Sequence, residues 1–135
     1  MKPNRSMPPS AVIPQLGYDD VEQAIDWLCA TFGFAERWRA GGHRAQLAFD
    51  NGAVVVTESR LVPGPVSLLV RVDDVDAHHA HAVEQGAKVT SAPEDHFYGE
   101  RQYSVVDPGG HSWTFSESIA DVAPEEWGGT SADPA

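Results

Sequence analysis

"HRAQLAFDNGAVVV" (residues 43–56) and "ERQYSVVDPGGHSW" (100–113) run side by side, with Arg44 over Arg101 and Asp50 over Asp107. Each holds an alternating stretch, a turn marked by Asp and Gly, and a second apolar stretch, the pattern of a β-hairpin. The surroundings repeat as well. Before the first hairpin, "AVIPQLG" (11–17) reads as a strand. Residues 20–32 read as a helix, because Val21, Ala24, Ile25, Leu28 and Phe32 recur at helical spacing and Gly33 follows as a C-terminal stop. Strands are expected at 34–40, 43–49 and 53–59, with "GG" (41–42) and "DNG" (50–52) as turns. "VPGP" (62–65) breaks regular structure, and the order then starts again. A strand "VSLLVRV" (66–72) leads to a helix from near Asp74 to Gly86, then "AKVT", the loop "SAPEDHFYGE" (91–100), "RQYSVVD" and "HSWTFSES". The expected fold is α+β, with two tandem β-α-β-β-β modules at about 11–60 and 66–118 in one domain spanning 1–118.

Composition narrows the function. The chain has 135 residues, 41% of them hydrophobic, and 9 basic against 20 acidic residues give a net charge of −11. Nucleic acid and anionic membrane are poor partners for such a surface. Glu117, Asp121, Glu125, Glu126 and Asp133 lie in a stretch with no Lys or Arg after Arg101, so 119–135 reads as an acidic, flexible tail in which Trp127 alone has the bulk to dock. Cys29 is the sole cysteine, which leaves no internal disulfide or cysteine metal cluster, and its place in an apolar helical pattern suggests a buried, inert thiol. The opening "MKPNRSMPPSAVIP" has no apolar run like a signal-peptide core, and a cytoplasmic location is expected.

With "AIDWLCATFGF" (24–34), "VRVDDVDA" (70–77), the "GA" after the second helix and "YGERQYSVVDPGGHSWTF" (98–115), this plan resembles the glyoxalase / bleomycin-resistance / dioxygenase (vicinal oxygen chelate) superfamily over about residues 11–118. The resemblance implies curved mixed sheets, each a half-barrel with a helix on its convex side and a pocket-lining concave side. It also implies a homodimer with pockets formed between modules of different chains. Metal-dependent members place ligands on the strands that open and close each module. Here those places fall at Ile13, Ser67, Thr114 and either Val55 or Val56. None of these ligates a divalent ion, and the amide of Gln15 cannot hold one alone, so neither a metal nor another cofactor is expected.

Strand alternation from Thr114 puts Ser112 and Ser116 on the pocket face and turns Trp113 and Phe115 toward the helices. Arg101 and Tyr103 are assigned to the pocket with Val105, matching Arg44 and Gln46 in the first module, while Leu47 and Phe49 fill the helix-packed face. A structural role, with Arg101 pairing to a nearby acid, is the alternative. Trp38 is the foremost stacking candidate, sharing a face with Phe34 and Glu36, and Phe97 and Tyr98 are lid candidates. Asp107, Pro108, Gly109 and Gly110 read as turn chemistry and His111 as a surface or turn histidine. His78 and His81, one turn apart, are expected in solvent beside a buried stripe of Val75, His79, Ala82 and Val83. The candidate ligand-binding set is therefore Trp38, Gln46, Ser67, Phe97, Tyr98, Arg101, Tyr103 and Thr114, with no catalytic residue. The resemblance and this set together imply a metal-independent binding protein of the bleomycin-resistance type, sequestering a bulky, partly aromatic natural product or antibiotic between subunits. Two alternatives stay open: an enzyme of the same fold (lyase, isomerase or dioxygenase-like) acting on a small metabolite, and a module for some other ligand or partner protein.

Overall fold

The structure is a computed structural model and describes residues 1–132. The chain divides into two compact units, Met1–Val66 with Val106–Ser112, and Ser67–Val105 with the chain from Trp113.

In the first unit, β1 (Gln15–Tyr18), α1 (Val21–Phe32), β2 (Ala35–Ala40), β3 (Arg44–Phe49) and β4 (Gly52–Glu58) follow in order. The sheet order is β1-β4-β3-β2, with β1 parallel to β4 and the remaining pairs antiparallel. β1 starts later than the sequence predicts, since only the Pro14 carbonyl, bonded to Val55 N–H at 2.9 Å, extends the pairing upstream. Helix α1 begins where the Asp20 carboxylate accepts from Gln23 N–H (3.0 Å) and ends at Gly33, whose φ of 85° suits glycine. Its buried face is the predicted one, Val21, Ala24, Ile25, Leu28 and Phe32. Leu16, Ala45, Leu47, Val54 and Val56 are buried on the sheet. Burying each large aliphatic side chain contributes on the order of 2 kcal/mol.

A bulge between Glu36 and Trp38 breaks the alternation of β2. Glu36 pairs with Leu47, whereas Trp38 pairs with Gln46. Arg39 reaches Asp26 of α1 at 3.1 Å and Glu36 at 2.8 Å, so both lie on the helix side. Phe34 packs against Phe49 with ring centroids 5.5 Å apart. The expectation that Trp38 shares a face with Phe34 and Glu36 is thereby corrected: the extra residue, Arg37, moves Trp38 to the open face.

The plan is repeated by β5 (Ser67–Arg71), α2 (Val75–Glu84), β6 (Lys88–His96), β7 (Glu100–Val106) and β8 (Ser112–Ser118), in the order β5-β8-β7-β6, all in the second unit except Val106 and Ser112. β6 runs through most of the stretch read as a loop and turns at Gly99, whose φ is 85°. Tyr103, Val105, Trp113 and Phe115 form a core with no exposure. Against it lies α2, capped by Asp74 and buried at Val75 and Ala82. His78 packs on Phe115, ring centroids 4.0 Å apart, and its Nδ1 lies 2.6 Å from Tyr103 Oη, while His79 meets the Tyr103 ring edge-on. The predicted stripe is thus rotated, with His78 packed inward and Val83 exposed.

The segment after β8 folds back on this unit. Ile119 N–H donates to the Gly99 carbonyl at 2.8 Å, and a 3-10 turn at Pro124–Trp127 sets Trp127 6.4 Å from the Phe97 ring. The last part of the predicted tail, 133–135 with Asp133, lies outside the described residues.

Candidate functional site

Each sheet has an open face away from its helix. On the first, Gln15, Val55, Gln46 and Trp38 stand in one cross-strand row. Val56 instead pairs with Leu16 and Ala45 and is fully buried with them, so Val55, not Val56, occupies the closing-strand place on the open side. Trp38 and Gln46, both in the candidate set, are cross-strand neighbours.

On the second sheet the open face is a row of hydrogen-bonding groups. Tyr98 Oη donates to Gln102 Oε1 (2.8 Å), Gln102 Nε2 donates to Ser116 Oγ (3.0 Å), and Ser116 Oγ donates to Glu100 Oε1 (2.7 Å). The hydroxyls of Ser104 and Thr114 lie 2.8 Å apart, and Arg71 donates to Ser118 Oγ at 2.9 Å. Ser67 and Leu69 alternate with Arg71 on β5 and share its side. Burial opposes the charge of Glu100, but hydrogen bonds from Ser118 and Ser116 and the nearby Arg71 outweigh it and hold the carboxyl below its usual range. This face offers alternating donors and acceptors ending on one carboxylate. It suits a ligand that is itself rich in hydrogen-bonding groups.

Arg101 and Tyr103 do not join this face. Tyr103 is fully buried, stacked on Phe115 with centroids 5.4 Å apart. Arg101 pairs with Asp76 of α2 (3.0 Å) and Asp95 (2.8 Å), the structural alternative weighed above. The reason is register. Asp107 N–H donates to the His111 carbonyl at 3.0 Å, and equal steps back along β7 and forward along β8 set Tyr103 opposite Phe115 and Gln102 opposite Ser116. Aligning Arg101 with Arg44 places the strand one residue out of phase, and one residue moves every side chain to the other face. Glu100 and Gln102, which the sequence reading missed, were legible by counting from the turn. Phe97 is 73% exposed and touches Tyr98 and Trp127 rather than closing over either face.

His111 is buried, not a surface residue. Its Nδ1 accepts from Val66 N–H (3.0 Å) and its Nε2 lies 2.8 Å from the Gly17 carbonyl, which fixes the tautomer with the proton on Nε2. Beside it Asp107 accepts from Tyr18 Oη (2.5 Å), Gly109 N–H (2.9 Å) and His111 N–H (3.0 Å). A side chain at Gly109 would meet the Tyr18 ring at 2.6 Å, so this turn requires glycine for close approach. Next to the cluster lies a hollow of about 170 Å³ lined by Gly17, Tyr18, Asp19, Gln23, Ser59 and Gly109.

Burial, with the charge of and hydrogen bond to Asp107, pushes the Tyr18 phenol far above its ordinary value of 10.0, and burial does the same for Tyr103. Both stay neutral in the fold, whereas the unfolded chain ionises them near pH 10. Their contribution to stability is fully present below about pH 10 and is lost as the pH rises above it. The urea midpoint is therefore expected to fall between about pH 9.5 and 11, and a Tyr18→Phe/Tyr103→Phe variant is expected to flatten that fall, as chemical denaturation at stepped pH would read.

The open faces do not fit a divalent metal. Val55 has no donor atom, Ser67 and Thr114 offer hydroxyls, and among the described residues no group of three or more His, Cys, Asp or Glu comes together to hold an ion. Among the described residues no helix is long and apolar enough to cross a membrane.

A chain built from two such β-α-β-β-β units, with open faces of this kind, defines a class whose members are known by their plan rather than by one chemistry. Residues 12–115 match the family model of the Glyoxalase/Bleomycin resistance protein/Dioxygenase superfamily, and the chain belongs to that superfamily. It is similar to TioX from Micromonospora sp. ML1 (TM-score 0.73, 31% identity, 82% of this chain and 99% of that one). It is also similar to TnmS3, an antibiotic binding protein from Streptomyces sp. CB03234 (TM-score 0.66, 28% identity, 81% and 98%). An uncharacterized protein of Mycobacterium tuberculosis (strain ATCC 25618 / H37Rv) is 31% identical over 134 residues, covering 86% of this chain and 79% of that protein.

Proposed function

We propose that this chain is a metal-independent binding protein that sequesters a bulky natural product or antibiotic in the cytoplasm, acting as a homodimer whose pockets are completed between subunits. The observation that carries this reading is the likeness, over 98% of its length, to TnmS3, described as an antibiotic binding protein. The open faces support it. Trp38 and Gln46 stand side by side on one face, a flat ring next to an amide, and the Tyr98–Gln102–Ser116–Glu100 row carries directional hydrogen bonds. The first kind of surface suits an aromatic or other flat group, and the second suits a polar, hydrogen-bonding one. Calorimetric titration of the purified protein against a panel of aromatic and peptide antibiotics tests the reading, with sedimentation to check the dimer. At least one compound is expected to bind with one site per subunit. Trp38→Ala is expected to weaken it about 30-fold, near 2 kcal/mol, while the chain stays folded. Absence of binding across the panel, or an unaltered affinity in Trp38→Ala, overturns the reading or the site respectively.

A further inference from the structure

The open face of the first sheet is occupied by the chain itself. Trp38 Nε1 (3.0 Å) and Gln46 Nε2 (3.4 Å) both donate to the Ser6 carbonyl, and Arg37 Nη2 donates to the Arg5 carbonyl (3.3 Å). Arg37 Nη1 donates to Gln46 Oε1, which ties the donors together. Two residues on, Pro8 is buried although its neighbours Met7 and Pro9 are exposed, and Ser10 Oγ anchors the segment to the Asn51 carbonyl at 2.6 Å. Three side chains from β2 and β3 thus converge on two successive main-chain carbonyls, and one apolar ring is buried close by. The hydrogen bonds from Trp38, Gln46 and Arg37 go to the segment's peptide backbone, and its one buried side chain among residues 4–9 is the Pro8 ring. Another molecule presenting carbonyls and an apolar ring in that arrangement satisfies the same donors.

We propose that this face is a receptor for an amide carbonyl flanked by an apolar ring, and that residues 4–10 are a tethered occupant which a ligand of that chemistry must displace. This deepens the reading above by giving the ligand's recognition element on this sheet. It also has a kinetic and thermodynamic consequence. A tethered segment competes at an effective concentration of about a millimolar, so releasing it raises the apparent affinity of an outside competitor by about tenfold or more.

The test uses the full chain, a full-length Pro8→Asp variant and, as probe, a peptide of residues 2–11 capped at both ends. The indole N–H signals are followed by nuclear magnetic resonance, with the Trp38 signal assigned by its loss in Trp38→Phe. In the parent, the Trp38 indole proton is expected to exchange with water at least about tenfold more slowly than in Pro8→Asp. The peptide is expected to bind the variant at least about tenfold more tightly than the parent and to return the Trp38 signal to its parent position. Trp38→Phe added to Pro8→Asp is expected to abolish that binding. Trp38 exchange as fast in the parent as in the variant, or equal peptide affinity for the two, overturns the inference. An antibiotic that binds but does not compete with the peptide on Pro8→Asp sinks the tethered occupant and leaves the binding function standing. Peptide binding without binding of any antibiotic does the reverse.

Discussion

Asp107→Ala is expected to lower the unfolding free energy by about 3–5 kcal/mol, because it strips partners from three donors at once. Tyr18 Oη loses its acceptor at 2.5 Å inside a buried site, and the Gly109 and His111 amides lose the carboxylate oxygen that shapes the turn. For a chain of this size that loss corresponds to a fall in Tm of about 10–15 °C. Asp107→Asn should recover part of it, since one oxygen remains to accept from the turn amides while the amide end meets the Tyr18 hydroxyl. A thermal melt of the two variants and the parent checks this. An Asp107→Ala melting point within about 3 °C of the parent would show that the carboxylate is only a turn former, as the motif suggests when read alone. Mutating the neighbouring His111 to Ala is expected to destabilise as well, contrary to the expectation for a surface histidine, because Val66 N–H and the Gly17 carbonyl would both lose a buried partner.

Tyr103→Ala is expected to cost about 3–5 kcal/mol of stability, the range for removing a fully buried aromatic side chain. The ring is fully buried, stacked on Phe115 and touched by His78 and His79. Tyr103→Phe should cost only about 1 kcal/mol, because the ring stays and only the hydroxyl facing His78 Nδ1 is lost. A pocket residue would behave in the opposite way, with stability kept and ligand affinity lost. Urea unfolding of Tyr103→Ala beside Gln102→Ala separates the two faces of β7. The first variant should be strongly destabilised, and the second, whose side chain bonds Tyr98 and Ser116 on the open face, should lose about 1 kcal/mol or less.

Local chemistry was sufficient for much of this molecule. Helix α1 carries its own start at Asp20, its stop at Gly33 and an apolar stripe at helical spacing, so its limits and buried face were readable without a partner. The hairpin turns announce themselves through Asp50 and the glycines after Asp107, and the doubling of one plan led to the superfamily. Trp113 and Phe115 were assigned to the core by alternation counted from Thr114, whose place the family resemblance supplied.

What alternation could not supply was its own phase. In β2 the bulge at Arg37 inserts one residue, and in β7 the length of the turn after Asp107 decides which residues oppose β8. Each is a shift of one, and a period of two converts it into a change of face. That is why Trp38 reached the open side by a route other than the expected one, and why Arg101 and Tyr103 left it for Glu100 and Gln102. The burial of Asp107 and His111 depends on Tyr18 and Gly17, 89 and 94 residues away in the chain, and no local signal encodes so distant a pairing. The same holds for Ser6 and Trp38. By itself the sequence determined most of the elements, their order and the family to which they belong, since those rest on short-range spacing, but not the length of β6 or the turn at Pro124–Trp127. Only the tertiary structure decided which side chains meet on each face and what already lies against them, because that depends on register and long-range hydrogen bonds.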